Sequence, residues 1–204
     1  MTDDGIRKLI DGFGRFHAEK YAGLPEVELA AVVDLDVARA HAVATEFGCA
    51  AHTDFRRILD EVDAVSIATP ASSHFEIARE FLLAGKHVLV EKPMALSVED
   101  ADAMIALARH GGCVLQVGHQ ERFLFDRVLP GLSIDEPLEI TCRRAGPANG
   151  RSADCSVVLD LMIHDLDLVH RLVAGDATRA TAAQPQPPGA PRDVVEMVDN
   201  RVQV

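Results

Sequence analysis

From residue 27 onward, short apolar runs rich in Val and Ile alternate with longer segments of helical period, and this alternation limits the fold more than any other feature. Continuous apolar runs suit strands buried on both faces, and strands separated by helices form a parallel sheet covered by those helices. The strands are expected at 27–34, 64–68, 87–91 and 114–119, with helices at 37–47, 74–84 and 97–110. The last helix opens with Ser97 and Asp100 in capping-box spacing and places Ala101, Met104, Ile105 and Ala108 on one face. After His119 the rhythm changes. A helix is expected at 122–129, a strand at 138–145, a Gly/Pro/Asn loop, and a strong helix at 158–173. Further strand segments fall at 178–183 and 194–204, too few to complete a second sheet. Pro185, Pro187, Pro188 and Pro191 make 184–192 a loop or linker, because proline lacks the donor that helices and central strands need. A domain boundary is placed near residue 120.

Bulk chemistry excludes several classes of function. The net charge of -12 repels a phosphate backbone, so a nucleic-acid role is not expected. No apolar run approaches the roughly 20 residues of a membrane-spanning helix. Asp3 and Asp4 stand where a signal peptide needs cations, and the four cysteines show neither a CxxC pair nor a framework spacing. A reducing, cytoplasmic setting is expected. The nine histidines have no metal-ligand spacing, so no metal is expected.

In a doubly wound sheet, the acidic residue ending the second strand accepts hydrogen bonds from adenosine ribose hydroxyls, and Asp34 holds that position. It equally suits the polar end of any strand. Ala68-Thr69-Pro70, ahead of His74, suits a ligand-facing loop at the carboxyl edge. The first phosphate-binding turn is damaged. Counting back from Gly14, the three glycine positions of a GxGxxG turn fall on Leu9, Asp11 and Gly14. The other register, through Gly12 and Gly14, puts His17 third and is no better. Arg7 and Lys8 do not suit a buried central strand, whereas Ile6, Leu9, Ile10 and Phe13 fall at helical spacing behind Asp3 and Asp4. Residues 1–13 are either a divergent strand and turn or a helix replacing them; the helix is slightly favoured.

Two further signals carry chemistry. Glu91-Lys92-Pro93 ends a buried strand, where a lysine serves either an anionic or reacting group or merely the surface. Asp160 and His164 stand four apart in a helix, which makes them a general-base pair or a solvated contact. Asp165, Asp167 and His170 are expected to be exposed or structural.

Together, Ala68-Thr69-Pro70 with His74, Glu91-Lys92-Pro93, Val117-Gly118-His119 with Arg122-Phe123, and Asp160 through His164-Asp165 resemble the Gfo/Idh/MocA family over about residues 14–175. The resemblance implies a Rossmann-like, doubly wound dinucleotide-binding domain over 1–120. It implies a truncated open-sheet α/β substrate and oligomerisation domain over 121–204, whose sheet makes a homo-oligomer. The implied reaction passes a hydride between nicotinamide and a hydroxyl of a sugar, polyol or nucleotide sugar. The implied catalytic set is Lys92, Asp160 and His164, with His164 taking the hydroxyl proton and Lys92 stabilising the alkoxide. Cofactor contacts fall to Gly12, Gly14, Asp34, Thr69, Pro70, His74, Glu91 and Lys92. The segment 157–165 looks closest to members acting on nucleotide sugars. Leu35 and Asp36 offer nothing to a 2'-phosphate, so NAD is expected over NADP. Two alternatives stand beside this reading: a degenerate, non-catalytic binding or partner subunit, and a truncated fragment.

Overall fold

Strand β4 (His87–Glu91) anchors the first of two compact units, Met1–Gly118 and His119–Val204. A computed structural model describes residues 3–132, 140–143, 156, 158–172, 181–183 and 194–197. β4 pairs in parallel with β3 (Ala64–Ile67) on one side and β5 (Leu115–Gly118) on the other. Val88 and Val90 are fully buried, as expected for a strand covered on both faces. Helices α3 (His74–Leu83) and α4 (Val98–Gly111) pack on it through Phe81 and Met104, both at 0% exposure. Truncating Phe81 to Ala there costs about 3–5 kcal/mol. The Ser97 hydroxyl accepts from Asp100 N at 3.1 Å and starts α4 at the expected place.

Next to this lies a second parallel pair, β1 (Ala31–Val33) with β2 (Ala50–His52), joined by α2 (Val37–Phe47). Asp36 caps α2 by accepting from Ala38 N and Arg39 N, and Gly48, at φ 74°, ends it in the left-handed region. The first strand is shorter than the expected 27–34: it pairs with β2 over only three residues, and Val27 is exposed. The sequence gives β2 no signal, because Ala-Ala-His has little strand propensity.

The main departure is at the start. Residues Asp3–Ala22 form one helix, α1, which runs through the segment where the first strand and its glycine turn would lie. Among the described residues β1 pairs only with β2, and β3 only with β4, so the parallel sheet is in two pieces. Of the two readings open for residues 1–13, the helix is the one observed.

In the second unit, α5 (Gln120–Val128) packs with α6 (Ile163–Leu172), and a π-helical turn, Val158–Met162, leads into α6. The expected uninterrupted helix at 158–173 is thus broken in character at its first turn. Met162 is buried against Cys142, Leu166 and Val169. Strand β8 (Val194–Met197) lies antiparallel between β6 (Ile140–Arg143) and β7 (Thr181–Ala183). The expected proline-rich loop at 184–192 lies outside the described residues.

Candidate functional site

Parallel strands present their carboxyl ends to ligands, and in the first unit the ends of β3 and β4 bring several expected site residues together. β4 ends at Glu91, and the Lys92–Pro93 peptide that follows is cis. Lys92 is half-buried. His74, at the start of α3, is 1% exposed and ties this turn to its neighbour. Its Nδ1 lies 2.8 Å from Pro93 O and its Nε2 lies 2.8 Å from Thr69 O. Both partners are carbonyl acceptors, so a neutral ring donates to one at a time and a protonated ring to both. With both nitrogens facing backbone, His74 joins the Thr69 loop to the Lys92 turn. Thr69 and Pro70 are exposed on that loop, with Ser73 Oγ donating to Thr69 Oγ1 and to Pro70 O, each at 2.8 Å.

Glu91 is held on the other side of Lys92. His17, on α1, places Nε2 2.8 Å from Glu91 Oε1 and Nδ1 2.9 Å from Ser66 Oγ on β3. The Glu91 carboxylate lies so close over Gly118 on β5 that a Cβ there would stand 2.8 Å from Oε2. Only glycine leaves that space. Sequence reading met His17 only as the third position of a glycine register and gave it no partner; its role depends on a contact 74 residues away.

The residues expected at the cofactor end are only partly placed for that task. Asp34 Oδ2 accepts from Arg39 Nε at 3.0 Å, while Oδ1 accepts from Arg39 Nη2 and from Asp36 N, each at 2.8 Å. A ribose hydroxyl would have to share those oxygens. Arg39 reaches back from α2, which an inspection of Leu35 and Asp36 alone does not reveal. Gly12 and Gly14 lie inside α1, where backbone N–H groups are spent on helical carbonyls rather than aimed at an anion. Asp34 and the Thr69–Pro70 loop thus stand at strand ends as expected, but the described fold does not fit a pyrophosphate at the glycine turn. Burial pushes the Cys49 thiol up, which makes it a poorer nucleophile.

Asp160 and His164 belong to the second unit. Asp160 sits in the π-turn, with its N–H on Ser156 O at 2.9 Å, and His164 lies one turn on in α6. Such turns recur at functional sites because they re-aim side chains, a signal that a four-residue spacing does not carry. The His164 side chain is 13% exposed, and its Nδ1 lies 3.7 Å from Glu121 Oε1 on α5. Beside it Arg122 forms a two-pronged ion pair with Asp167, with Nε to Oδ2 at 3.0 Å. The Asp167 hydrogen bond raises the Arg122 pKa above its ordinary value. Asp165 and Asp167 are buried and His170 is exposed, in keeping with structural or surface parts for all three. Among the described residues no cluster of His, Cys, Asp or Glu is disposed to hold a metal. No described helix is long and apolar enough to cross a membrane.

Residues 9–119 match the family model of oxidoreductases with an NAD-binding Rossmann fold, Gfo/Idh/MocA. That is more than half of the chain. The chain belongs to the Gfo/Idh/MocA oxidoreductase family. UDP-N-acetylglucosamine 3-dehydrogenase of Acidithiobacillus ferrooxidans is 42% identical over 169 residues, which are 80% of this chain and 52% of that protein. A solved structure of that enzyme superposes with a TM-score of 0.74 at 37% identity, covering 91% of this chain and 62% of the other. GenD2 from gentamicin A biosynthesis, solved in complex with NAD, gives a TM-score of 0.70 at 32% identity, over 91% of this chain and 58% of that one. The chain spans about half the length of the curated relatives it matches.

Proposed function

We propose that this chain carries the cofactor-edge loops and the proton-handling helix of an NAD-dependent dehydrogenase acting on a hydroxyl of a sugar, polyol or nucleotide sugar. The observation that carries the reading is the double tether of the Lys92 turn, by His74 to Pro93 on one side and by His17 to Glu91 on the other. A lysine fixed at a parallel sheet's carboxyl edge is placed to stabilise a developing alkoxide. In this reading His164 accepts the hydroxyl proton, and Asp160 tunes or orients it. The hydride acceptor is NAD. The similarity to a UDP-N-acetylglucosamine dehydrogenase favours a nucleotide sugar within that substrate class. The oligomer is assigned to the β6-β8-β7 sheet, and the setting to the cytoplasm.

One observation favours a second reading. With Asp3–Ala22 helical, the pyrophosphate turn is not formed, as expected of a non-catalytic binding or partner subunit. Quenching of NADH fluorescence, followed by turnover assays with NAD and UDP-N-acetylglucosamine or inositol, separates the two. Turnover by the isolated chain establishes the dehydrogenase. Absence of saturable NADH binding at millimolar cofactor leaves the partner subunit.

A further inference from the structure

A cavity of about 430 Å³ opens beside α2, and none of the residues assigned above to cofactor or substrate lines it. Ala40 and Ala51 supply its small walls, and His41, His52 and Arg57 bring three basic side chains to it. No hydrogen bond or ion pair engages those three side chains among the described residues. Neighbouring Arg56 shows the contrast: it lies over the Phe55 ring and pairs with Asp54 and Glu76. Asp54 also lines the cavity, but its Oδ1 accepts from Arg56 N at 3.0 Å and its charge is offset by the Arg56 guanidinium.

We propose that this cavity is a second ligand site, one that takes a phosphate-type dianion carried on a small metabolite. A guanidinium presents a planar fork of N–H donors that matches phosphate oxygens, and each imidazole presents at least one N–H whether neutral or protonated. The space exceeds that of a bare tetrahedral oxyanion and falls in the range of small-molecule pockets. A phosphomonoester with a small polar body fits both the charge and the volume. The floor of the site is β2, whose His52 carbonyl accepts from Asp34 N at 3.1 Å.

The test is a titration of the full chain with inorganic phosphate, glucose 6-phosphate and glucose, read by calorimetry and by the ring resonances of His41 and His52. Saturable binding of either phosphate, with glucose silent, is expected. Tighter binding of glucose 6-phosphate marks a phosphomonoester site, and equal binding marks the free anion. R57Q and H52N should each weaken it by about tenfold or more, as the loss of a charge-assisted hydrogen bond does. R109Q removes the same charge at the end of α4, outside the cavity, and should leave binding unchanged. The proposal is overturned if neither phosphate binds up to about 10 mM. It is equally overturned if R109Q and R57Q weaken binding alike, since that would be diffuse electrostatics rather than a site.

Discussion

His17 and Glu91, 74 residues apart, meet at 2.8 Å, with side chains only 15% and 11% exposed. This bond fastens α1 to the end of β4, and Ser66 completes it at the other ring nitrogen. Replacing His17 with Ala takes a partner from a nearly buried carboxylate, so urea denaturation should show a loss of about 1–3 kcal/mol. Serine 66 donates or accepts a single neutral bond, and S66A should cost less. A null effect of H17A would mean that α1 is not seated on the sheet.

Gly118 gives the same contact a second handle. A methyl group at this position lies 2.8–3.0 Å from all three atoms of the Glu91 carboxyl group, which must move and surrender His17. G118A should therefore destabilise the chain, and its effect should not add to that of H17A in a double-mutant cycle. Additive losses would show that Glu91 relaxes without breaking the bond.

Arg15 and Glu46 join α1 to α2 at the surface, through Nε to Oε2 at 3.0 Å and a second short contact. The Arg15 hydrogen bond holds the Glu46 carboxyl below its ordinary 4.5. A depressed acid contributes stability that is present above its unfolded value and is lost as pH falls through the lower folded value. Amide protection factors in α1, taken against the intrinsic rate at each pH, should therefore fall in acid below 4.5, and E46Q should remove that pH dependence. High salt should shrink the difference, because the pair is exposed.

How much of this was legible in the sequence follows from the range of the interactions. Helix α2, strand β4 and the start of α4 depend on local signals: the Asp36 cap, the His-Val-Leu-Val-Glu run and Ser97. Those were readable. Strand β2 was not, because Ala50–His52 becomes a strand only by pairing with β1. In the site, Lys92 stood out as a cation ending a buried strand. The partners that hold it did not, since His17 and Gly118 meet Glu91, and Ser66 meets His17, from three separate elements. Arg39 was missed at Asp34 because a helix turn brings it back, and the basic cavity was missed because His41, His52 and Arg57 share no motif.

Lys92→Met tests the assigned chemistry most directly. The role proposed for the lysine is electrostatic and confined to the reacting hydroxyl, so turnover should fall on the order of 100-fold or more with NAD binding and Tm nearly unchanged. Unchanged activity in an active preparation would reduce Lys92 to a structural residue.

The last prediction concerns α1 and the divided sheet. A doubly wound sheet places its first strand centrally, and here no strand joins β1 to β3 among the described residues. Two strand edges are thereby left without a strand partner, and such edges pair with other chains. Meanwhile the helical register of Gly12 and Gly14 withholds the amides that a pyrophosphate needs. The isolated chain should accordingly bind NAD weakly or not at all and should self-associate, as seen by light scattering. Replacing Leu9 and Asp11 with Gly acts on both faults. Each glycine disfavours the helix by about 1 kcal/mol relative to Ala and permits the tight turn, and the second also removes a carboxylate from the phosphate's approach. The double variant should bind NADH more tightly than the unaltered chain and scatter less. A monodisperse, unaltered monomer with micromolar NAD affinity would refute this account of α1 and make the chain an ordinary dehydrogenase at its cofactor end.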